Sequence, residues 1–374
     1  MRTRHSRALL SYCQLAAGFL SLALALARPL HASMPIEESR RVLTEGLDHF
    51  YNLEYDQAIA SFERLRSDDP LSPTWQNQVA FGYFYKELLQ GGALEGDLFG
   101  ASNRFFRTKK FPTDTVLETR FREANQMAIR VCEKLLKEDS RDQQALYACG
   151  VAYAARATHQ GLIERSALNF LGNARRANDY HSRLVQLNPR QYDGYFIPGL
   201  YDFVLGSLPG PVKVLFFFAG LTGDKQRGIH MVENVSEWGD GAKHDARILL
   251  TVMYRREKRF DDARRTLESL AAAFPRNYIF PLEIASIHRA AEELPEAIRA
   301  YQQVLERFQA GTPNFAQAPA ARIHFELGEL YRRTGDVKSA RQHFEQVANS
   351  RGSTAELNKE SALLLSTLSP DPAP

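Results

Sequence analysis

Leu327-Gly328-Glu329-Leu330-Tyr331, followed by Ser339-Ala340-Arg341-Gln342-His343-Phe344-Glu345-Gln346-Val347, is the stretch whose reading decides the fold. Gly328 precedes Ala340 by 12 residues, and a large aromatic, Phe344, follows four later. The same interval of 12 separates Gly46 from Ala58, which Phe62 and Leu65 follow. Residues 261–275 read DDARRTLESLAAAFP, with Ala263, Leu267, Leu270 and Pro275 at steps of 4, 3 and 5. Ala297, Tyr301 and Val304 repeat the opening of that series 34 residues on. Steps of three and four place side chains on one face of a helix. A small residue lets two helices approach, and the large residue one turn later fills the space toward the next pair. No single pair buries its apolar face, so such units must stack.

This pattern resembles the tetratricopeptide repeat (TPR) family. Leu327-Gly328, Tyr331, Ala340 and Phe344 carry the likeness best. Leu250, Tyr254, Ala263, Leu267 and Pro275 form a second match. Leu146, Gly150 and Tyr153 with Ala177, Leu184 and Pro189 form a third, stretched by about 15 residues between its helices beyond a usual short turn. The resemblance implies an all-α, TPR-type α-solenoid of about seven helical hairpins, with insertions in the middle repeats and a C-terminal capping helix. The expected hairpins are 39–72, 73–142, 143–191, 192–243, 244–277, 278–320 and 321–354, with a cap at 355–368 and a disordered tail at 369–374. The insertions fall at 91–115, about 158–172 and 206–223.

Residues 195–228 read YFIPGLYDFVLGSLPGPVKVLFFFAGLTGDKQRG. They look like the central segment of the tetratricopeptide repeat 39 and inclusion-body clearance family. Gly199, Leu200, Ser207, Leu208, Pro209, Gly220, Gly223, Asp224 and Gly228 carry that likeness, which implies no chemistry.

The N-terminus reads as an address. Arg2, Arg4 and Arg7 form a positive region, an apolar stretch runs from Leu15 to Ala27, and small-residue exits follow at Ala25-Leu26-Ala27 and Ala32-Ser33. That is the layout of a secretory signal peptide over residues 1–32, with an uncleaved anchor as the alternative. Export to a periplasmic or secreted location is the expectation. Removing that segment changes the charge balance, because residues 33–374 carry 43 Lys and Arg against 44 Asp and Glu. A dedicated nucleic-acid binder would show a basic excess. Cys132 and Cys149 are too few for a disulfide framework, and the reading favours two buried small hydrophobes over a pair.

No catalytic, cofactor-binding or metal-binding constellation can be named. His49, His159, His181, His230, His244, His288, His324 and His343 are scattered, without a His-x-x-x-His pair enclosing glutamate and without a Cys-x-x-Cys. Gly220 to Lys225 lacks phosphate-loop spacing and a preceding strand. Ser207 and Ser236 lack a nucleophile-elbow context.

The helical spacing instead defines a face on the first helix of each pair. Its C-terminal part carries Asp245, Ile248, Val252, Arg255, Arg256, Arg289, Arg322, Phe325, Glu329, Arg332 and Arg333. Its N-terminal part carries Leu43, Phe50, Tyr51, Phe81, Phe84, Tyr85, Tyr147, Phe196 and Phe203. The groove candidates for partner binding are Arg255, Arg256, Arg289, Arg332, Arg333, Phe81, Phe84, Tyr85 and Tyr147. A protein or peptide with an acidic segment fits such a surface, since arginine donates bidentate bonds to carboxylates. The bland alternative is that residues 91–115 fold over the aromatics while the arginines sit solvated. Ile248, Val252 and Leu282 stand where a carboxylate clamp for C-terminal peptides would need polar donors. The expected function is an exported, non-catalytic scaffold without cofactors. The other reading is a peripheral membrane or lipid-associated protein using the apolar residues 195–221.

Overall fold

A computed structural model describes residues 34–94, 113–208, 210 and 222–368. The expected signal peptide, the core of insertion 91–115, the Val212–Leu221 run and the tail lie outside the described residues. The chain divides into two units, residues 1–41 and 42–374. In the first, Glu37 pairs with Arg40 and Glu38 with Arg41, each one turn apart.

The described residues hold fifteen α-helices and no strand. They are α1 (Ile36–Tyr51), α2 (Tyr55–Asp68), α3 (Pro73–Gln90), α4 (Thr115–Glu138), α5 (Gln143–Leu162), α6 (Ala167–Leu187), α7 (Phe196–Gly206) and α8 (Lys225–Trp238). They continue with α9 (Lys243–Arg256), α10 (Phe260–Ala273), α11 (Ile279–Ala290), α12 (Leu294–Gln309), α13 (Ala320–Thr334), α14 (Val337–Gln346) and α15 (Ala355–Thr367). From α2 onward each helix packs on the next in the chain, as an α-solenoid requires. The extra residues expected near 158–172 do not form a long connection. They lengthen α5 to 20 residues and α6 to 21, and the turn between them is short.

Helix starts follow local chemistry. Asp114, Asp142, Asp224 and Asp336 accept backbone N–H bonds in the first turns of α4, α5, α8 and α14. Four tight turns share one geometry. Glu54 N donates to His49 O, Arg259 N to Tyr254 O, Glu293 N to His288 O, and Asp336 N to Tyr331 O, at 2.8–3.0 Å. Each closes over one left-handed residue, Leu53, Lys258, Glu292 or Gly335, with φ of 66°, 58°, 64° and 85°.

The small and large positions of the repeat meet as its spacing predicts. A Cβ on Gly46 would lie 2.7 Å from the Phe62 ring, and one on Gly328 would lie 2.6 Å from the Phe344 ring. Phe62 is fully buried and Phe344 nearly so. In the pair α5/α6 the ring facing Gly150 is His181, which stacks on Tyr147 with centroids 5.2 Å apart. Burial holds the His181 imidazole down at about 4. Its Nε2 lies 3.3 Å from the Tyr147 carbonyl, and the bonds with the Tyr147 and Gly194 backbones offset the effect of burial only in part. Its folded pKa lies below the unfolded value, so the neutral ring supports the fold fully above about pH 6.5. That support is lost as pH falls from there toward 4, to the extent of about 3 kcal/mol. His181→Phe places in this slot the residue that two other pairs use. Denaturant midpoints measured across this window should fall less in that variant than in the wild type. Parallel curves would remove His181 as the cause.

At the C-terminal end α15 packs on α14, with Leu357 and Ser361 buried and Ser361 Oγ donating to Phe344 O at 2.8 Å. Cys132 on α4 and Cys149 on α5 form a disulfide, with Cα atoms 5.5 Å apart. This corrects the reading of two independent buried thiols. The two residues stand equally far from the α4–α5 turn, where antiparallel helices bring side chains opposite one another.

Candidate functional site

The first helices of the pairs place the expected residues in different surroundings. Phe84 is only 1% exposed and packs on Phe121 and His159, so it belongs to the core rather than to an open face. It follows that Phe84 is not available to a partner. Phe81, Tyr85 and Tyr147 remain partly exposed. Tyr85 lies against Phe50 and Phe81, with ring centroids at 5.1 and 6.2 Å.

Most of the basic half is occupied by the chain's own carboxylates. Arg255 donates to Glu283 at 3.2 Å and to Ser286 Oγ at 3.0 Å. Arg289 pairs with Glu326, which Arg322 also meets at 2.6 Å. Arg332 pairs with Glu329 at 3.0 Å, and Arg333 pairs with Glu292. Several of these pairs link one hairpin to the next. Arg256 is exposed and has no ion pair among the described residues.

The first hairpin meets the fifth and sixth directly, which the sequence reading did not anticipate. Arg276 reaches Glu54 at 2.8 Å and Asp48 at 2.7 Å. Asn277 Nδ2 donates to Tyr51 O at 2.7 Å, and Arg276 N donates to Asn52 Oδ1 at 3.0 Å. Asn314 Nδ2 donates to Asn52 O at 2.8 Å. Bonds from Arg276, His49 and Asn314 outweigh the effect of burial and hold the Glu54 carboxyl down at about 2. The Tyr51 ring lies 4.8 Å from Phe274, and its hydroxyl donates to Asp245 Oδ1 at 3.1 Å.

Asp245 is thereby brought beside the aromatic half of the face. Desolvation, with a smaller contribution from the Asp193 charge, raises its carboxyl to about 6 despite the bond from Tyr51. Burial is the main cause that raises the hydroxyls of Tyr51, Tyr85 and Tyr147, and the Asp245 charge adds to all three. Among the described residues, only the Tyr51 hydroxyl of these three is hydrogen-bonded to Asp245. Asp193 is committed elsewhere, accepting from the N–H groups of Asp240, Gly241 and Ala242 at 2.9–3.3 Å ahead of α9.

In the described part of the apolar segment Val204 is exposed and Phe196, Leu200 and Tyr201 are partly exposed. Ile197, Phe203 and Leu205 are buried, and among the described residues no helix is long and apolar enough to cross a membrane. Lys225, of the glycine-rich turn, is bound to Glu257 at 2.6 Å. No group of three or more metal-ligating side chains converges among the described residues.

Residues 254–312 and 282–354 match the family model described as tetratricopeptide repeat. Residues 254–354 carry tetratricopeptide repeats. The match lies C-terminal to residues 195–228 and does not extend to the likeness they carry. No curated protein matches the sequence. Solved structures similar to this repeat protein include a tetratricopeptide repeat protein from Parabacteroides merdae, at 13% identity over 88% of this chain and 99% of that one, with a TM-score of 0.36. The C-terminal part of a TPR repeat-containing protein from Cytophaga hutchinsonii is 13% identical over 85% and 98%, with a TM-score of 0.43. PilW, titled a widely conserved type IV pilus biogenesis factor, is 14% identical over 65% and 94%, with a TM-score of 0.42.

Proposed function

We propose that this repeat protein is an exported, non-catalytic scaffold that holds a segment of another protein against the first-helix face of its repeats. The observation that carries the reading is the partial exposure of Phe81, Tyr85 and Tyr147 on that face. Aromatic side chains on a rigid helical scaffold supply much contact area at small entropic cost. An acidic segment is the weaker form of the proposal. It would have to displace Glu283, Glu326, Glu329 and Glu292 from their arginines, and only Arg256 stands outside those pairs.

Export is supported by the charged and apolar leader and by the Cys132–Cys149 disulfide, which persists in oxidising compartments. Capture from an envelope extract should recover a discrete partner with the wild-type chain. The Tyr85→Ala/Tyr147→Ala variant should lose it while keeping its helical signal, and Arg299→Ala, exposed on α12, should retain it. Equal recovery by all three, or turnover of a small molecule with no partner found, contradicts the reading.

A further inference from the structure

Asp245 differs from the glutamates around it. Glu233, Glu257, Glu283 and Glu326 each meet an Arg or Lys within 3.4 Å or less. Asp245 forms no ion pair among the described residues, and its recorded bond is from the neutral Tyr51 hydroxyl. It stands in the first turn of α9 and is only partly exposed. A carboxylate removed from water without a counter-charge is unfavourable, and a cation brought to it recovers that cost. Phe81, Tyr85 and Tyr147 on the same face are partly exposed, and aromatic rings attract an ammonium or guanidinium while apolar surface accommodates its aliphatic stem.

We propose that Asp245, partly exposed beside Tyr51 on the first-helix face, receives a lysine or arginine side chain from an extended partner segment. This rests on the reading of the face as a partner-binding surface, and it reverses the charge expected from the arginines. Their carboxylates neutralise the C-terminal half, while Asp245 pairs with no Arg or Lys among the described residues. The groups that face it act in one direction. Tyr51, Tyr85 and Tyr147 stay protonated at neutral pH, and Asp193 adds negative potential. Of the bases on the same helix, Lys243 is bound to Glu237 O at 3.1 Å, and burial, with smaller contributions from the Arg247 and Lys243 charges, lowers the His244 imidazole.

The carboxyl of Asp245 titrates near 6, above its unfolded value, so the acceptor is charged at pH 7 and above and is neutralised as pH falls through 6. A library of random displayed peptides, about nine residues long to span adjacent helices, is selected on the mature wild-type chain near neutral pH. The expected result is a consensus with Lys or Arg at one fixed position. A synthetic peptide of that sequence should bind Asp245→Asn at least about tenfold more weakly, as loss of a desolvated charge pair implies. It should also weaken on the wild type as pH falls from about 7.5 to about 5. Asp245→Asn keeps an acceptor for Tyr51 and sheds a desolvated charge, so its unfolding midpoint at neutral pH should not fall. A consensus without a basic position overturns the inference, and so does a basic consensus whose affinity Asp245→Asn leaves unchanged. Enrichment of no peptide at all counts against the peptide-binding reading itself.

Discussion

Gly228→Ala should cost about 3 kcal/mol of stability or more, one of the largest effects expected from adding a single carbon to this chain. A Cβ on Gly228 would lie 2.6 Å from Gly199 O and 2.6 Å from Phe203 N, both backbone atoms of α7. The contact is reciprocal, since a Cβ on Gly199 would lie 3.0 Å from Gly228 O and 2.8 Å from Val232 Cγ2. A clash with the end of a side chain relaxes by a rotamer change, but here α7 and α8 would have to separate. Their separation would loosen Phe203, Ile229 and Val232, all buried in the main core. Gly172 supplies the opposite case. It is exposed on α6 with nothing within 4 Å of an added Cβ, so Gly172→Ala should stabilise by up to about 1 kcal/mol through helix propensity. Denaturant unfolding of the two variants should shift in opposite directions. A Gly228→Ala midpoint equal to the wild type would mean that α7 and α8 are not in this close contact.

Replacing both Cys132 and Cys149 with alanine should cost about 2–4 kcal/mol. The bond closes a segment of 17 residues and ties the second helix of one hairpin to the first of the next. Both residues are 0% exposed, so alanine keeps the site apolar and removes the cross-link together with a little packing volume. Burial should also protect the bond, because a thiol reductant must reach the sulfur. Alkylation of the mature chain should find no free thiol under native conditions with reductant, and two after denaturation and reduction. An alanine variant as stable as the wild type, or two free thiols in the denatured, unreduced exported protein, would contradict the assignment.

The residues that made the hairpins legible act over short distances along the chain. Gly46 with Phe62 and Gly328 with Phe344 repeat at a fixed spacing because each pair sits within one hairpin. The same logic misses contacts between hairpins that are not neighbours. Arg276 and Asn314 meet Glu54 and Asn52 across 222 and 262 residues, and no local pattern encodes that meeting. Phe84 and Tyr85 were read as one stripe, yet adjacent helical residues point about 100° apart, and only Tyr85 keeps an exposed edge. His181 escaped because the repeat pattern asks for a large ring there and histidine is usually searched for as a ligand. The disulfide did leave a signal. Cys132 and Cys149 are symmetric about the turn that Asp142 caps, which is where a helical hairpin brings two side chains together. Asp245 stood on the predicted face, but its isolation from cations is a property of the surrounding fold.

A partner held on the first-helix face should lie against Phe81, Tyr85, Tyr147 and Asp245. Site-specific photo-crosslinking tests it most directly, with the reactive residue placed in turn at Phe81, Tyr85 and Tyr147 and, as a control, at Arg299 on the second helix of the sixth pair. The account predicts that the three face positions capture the same protein in the cell envelope, that Asp245→Asn reduces the yield, and that position 299 captures none of it. Capture from position 299 with silence at 81, 85 and 147 would contradict it.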